Sequence, residues 1–505
     1  MILPRDFENE MVEFIGKDEY SRLEQALQET PPTSLRINHA KANAEEVFNV
    51  IQEEKVPWCD NGYYLKERPQ FTFDPLLHSG CYYVQEASSM FLSHVLTEYI
   101  EDIQTNNDGQ PLIALDLCAA PGGKSTLIQS VLPEDSLLIS NEVIRQRANI
   151  LAENIMKWGN PNSIVTNNYA QDFSLFTDTF DLIVCDVPCS GEGMFRKDPA
   201  SVNEWSLENV ENCYKLQREI VEDIWHTLKD DGIMIYSTCT YNPKEDEQNI
   251  SWIIEHLGAE LLSSHPKPEW GLTETNTHFF PHKIKGEGFF IAVLRKKSKD
   301  YSCEEVDNDD IIKYNDFDRN IYAETNANSS IQNKKDKRNK DKKALKADKR
   351  NSKQDKKHQN KFPEEIKGWI TNNSQFSFYE TNGTYFTFPA IFTNILEKAQ
   401  NSLRIVHAGI ELATAKGKKL QPCHNLALST NLNKEAFCTA EIDYNTAIAY
   451  LRTEAIQLPA ETEIGYVLLT YKGHPLGFVN NIGSRANNLY PTEWKIKSTY
   501  APSIL

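Results

Sequence analysis

Between residues 111 and 295, short apolar runs alternate with stretches of helical periodicity, and this alternation constrains the fold more than any other feature. Repeated strand–helix units predict a parallel sheet with helices on both faces. Gly286–Arg295 predicts a last strand, with His278–Ile284 as its candidate partner. The predicted strands are Pro111–Leu117, Ser136–Asn141, Ser163–Thr166, Asp181–Asp186 and Gly232–Ser237, and the predicted helices are Lys124–Val131, Arg145–Lys157, Ser206–Leu228 and Glu245–Leu257.

The chain divides into four predicted parts. Residues 1–105 mix helix and strand patterns and predict a small α/β domain, with helical spacing over Pro4–Gln28 and Ala44–Glu53 and a short strand at Ser34–Asn38. Residues 106–298 contain the strand–helix alternation. Residues 299–362 are poor in aliphatic side chains and dense in charge, which predicts a flexible linker. Apolar content returns in residues 363–505, which predict one or two small α/β or β units.

Charge is unevenly distributed along the chain. The net charge is −19, but residues 334–361 alone carry +10, so the remainder carries −29. An acidic body with one basic segment is not typical of a simple polyanion binder. To bind nucleic acid, this protein would need local basic patches or a contribution from residues 334–361. We expect these residues to raise the affinity for RNA without determining which RNA sequence is bound.

Several classes of protein are excluded by composition. No apolar run approaches the roughly 18 residues of a membrane helix, so we expect no membrane partner. The N-terminal residues lack the basic start and apolar core of a secretory signal. The 10 cysteines are too sparse for a disulfide scaffold, so we expect reduced thiols and a cytoplasmic monomer.

The strongest local signal is a glycine-containing turn between the first strand and the first helix of the alternation. It comprises Cys118, Ala119, Ala120, Pro121, Gly122, Gly123 and Lys124. Small residues let the backbone approach a ligand, and a helix N-terminus presents free N–H groups. A P-loop would need glycine at position 118, where this chain has cysteine. A tight turn without ligand remains an alternative.

Glu142 ends the next strand, where a carboxylate can accept both hydroxyls of a ribose. Together with the glycine turn, this acid indicates a nucleoside cofactor without a phosphate chain. S-adenosyl-L-methionine fits that description.

Two cysteines follow neighbouring strands at the predicted ligand-binding edge. Asp186, Pro188 and Cys189 end the fourth strand, and Cys239 ends the fifth. An Asp there can hydrogen-bond the exocyclic amine of a base, while a thiol in place of a stacking aromatic indicates covalent chemistry. From the residues alone, either cysteine could be the nucleophile. No Cys-x2-Cys or Cys/His pair has ligand spacing, so we predict no metal.

A thiol is useful to a methyltransferase whose target is carbon 5 of cytosine, because that carbon is a poor nucleophile. Addition of a thiolate to carbon 6 makes an enamine whose carbon 5 can attack a methyl sulfonium. Loss of the carbon 5 proton then expels the cysteine. Such reactivity depends on the thiolate form of the cysteine.

In this order the segments resemble the Nol/Nop/Sun family of RNA cytosine-5 methyltransferases. The resemblance rests on three motifs: Cys-Ala-Ala-Pro-Gly-Gly-Lys, Asp-Val-Pro-Cys-Ser-Gly-Glu-Gly and Ser-Thr-Cys-Thr. Residues 34–38, 83–89 and 286–290 also resemble family segments. Residues 421–428, 471–478 and 487–491 extend the likeness to the ribosomal small-subunit methyltransferase F group, whose tail resembles a PUA-like RNA-binding module.

The resemblance implies a fold and a function. The expected fold class is α/β: a Rossmann-like class I methyltransferase domain with a small α/β N-terminal domain and a C-terminal PUA-like module. The expected activity is S-adenosyl-L-methionine-dependent methylation of RNA at cytosine 5, on small-subunit (16S) ribosomal RNA, either free or within a ribosomal subunit or assembly intermediate. Transfer RNA is the alternative substrate, and a non-catalytic RNA-binding assembly factor is the alternative of another class.

The resemblance also assigns roles. Cys239 matches the nucleophile and Cys189 the helper that releases product, whereas a DNA cytosine-5 enzyme would use Cys189 as nucleophile. Lys124 and Asp186 match residues that contact the target base. Residues 118–124 and Glu142 match the cofactor cradle, to which we also assign Asp186. Where the family has an acidic residue near adenine, this chain offers Asn168, with Tyr169 as the alternative.

Overall fold

The computed structural model describes residues 2–47, 52–298, 362–417, 419–498 and 500. The predicted linker, except for Phe362, and the basic residues 334–361 lie outside these ranges. Within them, no helix combines the length and the apolar character that crossing a membrane requires.

The N-terminal part contains a small antiparallel sheet and several helices. The predicted helical segment after Pro4 is divided in two by Gly16, whose φ of 84° breaks the helical path. The sheet has the strand order β2-β3-β1-β4. Its elements are α1 (Arg5–Ile15), α2 (Lys17–Ala26), β1 (Thr33–Ile37), α3 (Ala44–Val47), β2 (Gln52–Lys55), β3 (Gly62–Leu65), α4 (Pro75–His78), β4 (Tyr82–Tyr83) and α5 (Phe91–Asn106).

The central part is the predicted strand–helix alternation. Its elements are β5 (Ile113–Asp116), α6 (Gly123–Val131), β6 (Leu137–Asn141), α7 (Arg145–Trp158), β7 (Ser163–Thr166), β8 (Phe180–Asp186), α8 (Pro199–Glu204), α9 (Leu207–Trp225), β9 (Leu228–Thr238), α10 (Glu247–Leu257), β10 (Ala259–Leu262), β11 (Thr277–Phe279) and β12 (Phe289–Lys296). The sheet order is β10-β12-β9-β8-β5-β6-β7, and the five strands from β9 to β7 are parallel. β12 joins β9 in antiparallel orientation, and β11 pairs with β12 as predicted.

Both faces of this sheet are covered, as expected for parallel strands that are apolar throughout. Successive residues of one strand contribute to two different cores, because side chains alternate across a sheet. Leu115, Ile139 and Ile183 belong to one core. Their preceding neighbours Ala114, Leu138 and Leu182 belong to the other.

The C-terminal part adds two small sheets, ordered β13-β14-β16-β17 and β18-β19-β20-β21. It also extends the central sheet, because β15 pairs with β7 in antiparallel orientation. Its elements are α11 (Glu364–Lys367), β13 (Phe376–Thr381), β14 (Thr384–Pro389), α12 (Thr393–Ser402), β15 (Ile405–Ala408), β16 (Ile410–Lys416), β17 (Lys419–Pro422), α13 (His424–Leu428), β18 (Cys438–Glu441), α14 (Tyr444–Leu451), β19 (Gly465–Tyr471), β20 (His474–Asn481) and β21 (Ala486–Asn488).

Candidate active site

The predicted glycine turn lies between the end of β5 and the start of α6. Gly122 has a φ of 115°, a conformation that residues with a side chain rarely adopt, and it caps the N-terminus of α6. Ala119 donates its backbone N–H to Asn141 at the end of β6, at 2.8 Å. The turn is therefore held against the neighbouring strand and opens the first turn of α6 towards the sheet edge.

A buried arginine of the N-terminal sheet supports this turn from behind. Arg36 donates to the hydroxyl of Thr126 at 2.6 Å and to the carbonyl of Gly123 at 3.3 Å. Its guanidinium also lies 4.5 Å from the centre of the Trp158 ring. The first turn of α6 thus depends on a side chain from another part of the chain, within the segment 34–38 that the sequence singled out.

Asp116 is the last residue of β5 and is fully buried. One carboxylate oxygen accepts from the Ser125 hydroxyl at 2.6 Å, while the other has no partner among the described residues. Burial raises the pKa of Asp116 to about 7. A polar nucleoside cofactor in this turn could donate a hydrogen bond to the unsatisfied carboxyl oxygen. Asp116 was not among the predicted site residues.

Glu142 follows β6 and is buried. Its Oε1 accepts the backbone N–H of Ile144 at 2.8 Å, and its Oε2 lies 3.4 Å from Arg147. Each carboxylate oxygen has more than one lone pair, so the group keeps capacity for ribose hydroxyls. These residues therefore fit the nucleoside part of S-adenosyl-L-methionine.

Asn168 follows β7, but both ends of its amide have partners within the chain. Its oxygen accepts the backbone N–H of Arg404, just before β15, at 2.9 Å, and its NH2 donates to Asp172 at 3.1 Å. A contact between Asn168 and adenine stays a prediction. Asp172 also accepts the backbone N–H of Tyr169 at 2.9 Å, so an acidic residue does lie beside this position.

Lys124 and Asp186 form an ion pair across the ends of α6 and β8. The Lys124 ammonium lies 2.8 Å from Asp186 Oδ2, and Asp186 Oδ1 accepts the Ser237 hydroxyl at 2.8 Å. Burial opposes the charge on Lys124, but the neighbouring carboxylates outweigh it and raise the pKa of its ammonium. The ammonium also lies 5.2 Å from the centre of the Phe289 ring. The pair therefore presents a fixed cation and an acceptor at the same edge.

Cys189 and Cys239 are in direct contact. Their sulfur atoms are 3.0 Å apart, and the backbone N–H of Cys239 points at the Cys189 sulfur at 3.3 Å. The hydrogen bond with Cys239, together with burial, raises the pKa of the Cys189 thiol well above its ordinary value. Either sulfur can donate in this contact, and the raised pKa of Cys189 means that its own protonated form is favoured.

The strand order explains why these groups meet. β6, β5, β8 and β9 are neighbours, so their carboxyl ends bring Glu142, the 118–124 turn, Asp186 and both cysteines to one edge. Ser237 and Phe289 also contact this site and were not predicted as members. Ser237 lies within the Ser-Thr-Cys-Thr motif, which could have pointed to it.

One group among the residues that the structure describes has the atom types for a metal ion: Asp246, Glu247 and His278. His278 hydrogen-bonds Glu247 at 2.7 Å, and Asp246 binds the Thr238 hydroxyl at 2.7 Å. The expectation of a metal-free protein stays a prediction.

Comparison with protein families matches three parts of the chain. Residues 104–295 match "16S rRNA methyltransferase RsmB/F". Residues 3–87 match the "N-terminal domain of 16S rRNA methyltransferase RsmF", and residues 438–496 match the "Methyltransferase RsmF PUA domain". The fold is therefore a Rossmann-like class I methyltransferase domain with an N-terminal domain of this type and a C-terminal PUA domain.

Individual relatives and a solved structure agree with these family matches. The chain is 28% identical to the "Ribosomal RNA small subunit methyltransferase F" of Aeromonas salmonicida over 91% of its own length and 90% of that protein. It is 34% identical to the protein of that name from Aliivibrio fischeri over 52% of its length and 58% of that protein. The crystal structure of PH0851 shares the fold, with a TM-score of 0.52 and 24% identity over 58% of this chain and 66% of that one.

Proposed function

This chain belongs to the Nol/Nop/Sun family of methyltransferases, and from that premise we propose that it methylates carbon 5 of a cytosine in the RNA of the small ribosomal subunit. Its cofactor is S-adenosyl-L-methionine, which supplies an electrophilic methyl group when bound. The names of the matched relatives support the ribosomal substrate, and the PUA domain supports RNA as the partner. That substrate would place the enzyme in the cytoplasm.

The observation that carries the cytosine-5 proposal is the contact between the two thiols beside the Lys124–Asp186 pair. Methylation of an exocyclic amine needs no covalent catalyst, whereas carbon 5 of cytosine must first be made nucleophilic. The hydrogen bond with Cys239 and burial disfavour the thiolate form of Cys189, and the Ser-Thr-Cys-Thr motif places Cys239 where the resembling family has its nucleophile. We therefore assign Cys239 as the nucleophile.

The first half of the reaction forms a bond between Cys239 and the base. The Cys239 thiolate adds to carbon 6, and the electron pair of the carbon 5–carbon 6 double bond moves to carbon 5, from which it is shared with the N3 edge of the ring. Asp186 accepts from the exocyclic amine of cytosine, and the Lys124 ammonium offsets the negative charge that develops on the ring. Carbon 5 can then take the methyl group.

The second half breaks that bond. Water takes the proton from carbon 5, the electron pair of that carbon–hydrogen bond restores the double bond to carbon 6, and Cys239 departs as thiolate. The Cys189 S–H, whose sulfur lies 3.0 Å from that of Cys239, is placed to stabilise the departing sulfur. Residues 118–124 and Glu142 hold the cofactor on the neighbouring strand ends while both halves proceed.

The proposal is tested with the full chain and S-adenosyl-L-methionine carrying a labelled methyl group. Small ribosomal subunits, free 16S RNA and transfer RNA are offered separately. We expect label in the small-subunit RNA, at a cytosine that bisulfite treatment then finds protected. Label in transfer RNA alone would overturn the ribosomal assignment, and label on a base other than cytosine would overturn the mechanism.

A further inference from the structure

Two buried glutamates connect the loops that carry the cysteines, and neither is used by the mechanism above. Glu192 and Glu245 are both completely buried. Neither forms an ion pair with a lysine or arginine among the described residues. Burying an acid without a cation costs free energy. The hydrogen bonds that these two acids accept should therefore show what their burial achieves.

Glu192 follows Cys189 in the chain but binds the loop of the other cysteine. Its Oε2 accepts the backbone N–H of Tyr241 at 3.1 Å, and its Oε1 accepts from the amide of Asn242 at 3.3 Å. Oε1 also accepts from the indole of Trp205 at 2.9 Å. Glu192 therefore fixes the chain just after Cys239.

Glu245 does the reverse, because it follows Cys239 and binds the loop of Cys189. Its Oε2 accepts the backbone N–H of Ser190 at 3.0 Å and the amide of Gln217 at 2.8 Å. The same Gln217 amide donates to the carbonyl of Pro188 at 2.9 Å. The residues on both sides of Cys189 are thus held through Glu245 and Gln217.

The two loops also contact each other directly. The hydroxyls of Ser190 and Thr240 lie 2.9 Å apart, and Gly193 donates its backbone N–H to the carbonyl of Cys239 at 2.9 Å. A Cβ at position 193 would lie 2.8 Å from that carbonyl, so only glycine permits this approach. The sulfur contact therefore sits inside a set of bonds that run from each loop to the other.

The chemistry of the acids suits this role. Burial raises the pKa of Glu245 to about 8, so its neutral form predominates near neutral pH, and burial also raises the pKa of Glu192. A neutral acid still accepts N–H donors but adds no negative charge beside a sulfur that must form a thiolate.

We propose that Glu192 and Glu245 are positioning residues that hold Cys239 and Cys189 in contact, each by binding the loop of the other cysteine. The bonds that fix each loop come from the opposite loop, so loss of either acid lets the sulfurs separate. The proposal rests on the proposed function for its catalytic meaning, but the geometry can be tested without RNA.

The test is the rate at which diamide converts the two thiols into a disulfide in the folded chain. Both thiol hydrogens pass to the nitrogen–nitrogen double bond of diamide as the sulfur–sulfur bond forms, and peptide mass spectrometry identifies the Cys189–Cys239 link. We expect Glu245→Ala to slow this reaction at least tenfold, while Glu245→Gln, which keeps the acceptor, stays within about twofold of the native rate. Asp181→Ala, which removes a buried acid at the opposite ends of the strands, is the control and should leave the rate unchanged.

Thr240→Val provides a second variant if Glu245→Ala does not fold, because it removes only the hydroxyl that meets Ser190. It should slow disulfide formation several-fold, and in RNA methylation both variants should lower kcat while leaving KM for S-adenosyl-L-methionine unchanged. Native disulfide rates in folded Glu245→Ala and Thr240→Val would overturn the positioning role. If the rates fall as expected but the native chain methylates no cytosine, the proposed function fails and the positioning role stands.

Discussion

The cofactor side of the site, at the ends of β5 and β6, and its cysteine side, at the ends of β8 and β9, are built differently. On the cofactor side the contact of Asp116 is local, because Ser125 binds it from only 9 residues later, while Arg36 supports the same turn from behind. On the cysteine side the contacts join loops 50 residues apart, as in Cys189 with Cys239 and Ser190 with Thr240.

This difference has a consequence for how each side responds to mutation. A turn that is closed by its own residues and backed by Arg36 can lose one cofactor-binding side chain and keep its shape. When two loops hold each other in place, the removal of one bond between them displaces both loops. We therefore expect large effects on catalysis from the cysteine side and moderate effects on affinity from the cofactor side.

The largest effect should come from Cys239→Ala. Without the nucleophile, no bond to carbon 6 can form, so methylation should fall at least about 10⁴-fold and no protein–RNA adduct should appear on a denaturing gel. Cys213→Ala, which removes a partly buried thiol on α9, is the matched control and should stay active. An adduct that persists in Cys239→Ala would transfer the nucleophile to Cys189.

Cys189→Ala should separate the two halves of the reaction. Cys239 can still attack and the methyl group can still be transferred, but the thiolate leaves without its S–H donor. Turnover should fall by about 10²–10⁴-fold, the usual contribution of a proton donor, while a covalent protein–RNA adduct accumulates. Normal turnover of Cys189→Ala with no accumulated adduct would show that Cys189 is not needed to release the product.

The sequence allowed the fold of the central part to be predicted closely, because its strands are short apolar runs with helices between them. The predicted helix at Ala44–Glu53 is confirmed over Ala44–Val47 but wrong at its end, because Gln52–Lys55 forms β2 and pairs with β3. Residues 48–51 lie outside the described residues. β15 was missed because Ile405–Ala408 is short and its partner lies far away in the chain. Tertiary pairing outweighs local pattern in both cases.

In the candidate site, too, features formed by adjacent residues could be predicted and features formed by distant residues could not. Every predicted residue from Cys118 to Lys124 lies in the expected turn, since adjacent residues form it. That Cys189 and Cys239 lie close together could be predicted, because both follow neighbouring strands. The hydrogen bonds from Glu192 and Glu245 to the opposite loops could not be predicted. Nothing local distinguishes a buried glutamate that binds a distant backbone N–H from one at the surface.

Lys124→Met probes the boundary between the two sides, because Lys124 belongs to the glycine turn yet pairs with Asp186. Losing a cation that faces developing charge should lower kcat by about 10²–10³-fold, with S-adenosyl-L-methionine affinity nearly unchanged. Lys229→Met is the matched control, since Lys229 pairs with Asp181 at the opposite ends of the strands. A loss of cofactor affinity with normal kcat would instead assign Lys124 to the cofactor side alone.

Glu142→Ala should have the smallest effect and tests the cofactor side by itself. The buried carboxylate is expected to accept ribose hydroxyls, and a hydrogen bond to a charged group contributes about 1.5–3 kcal/mol. Calorimetry should therefore show S-adenosyl-L-methionine binding about 10- to 150-fold more weakly, with the diamide reaction of the cysteines at its native rate. Glu153→Ala is the control, because this acid of α7 pairs with Lys157 and not with a residue of the cofactor site, so its loss should change affinity little. Unchanged affinity in a folded Glu142→Ala would remove Glu142 from the cofactor site. A slower diamide reaction in that variant would show that the two sides are not independent.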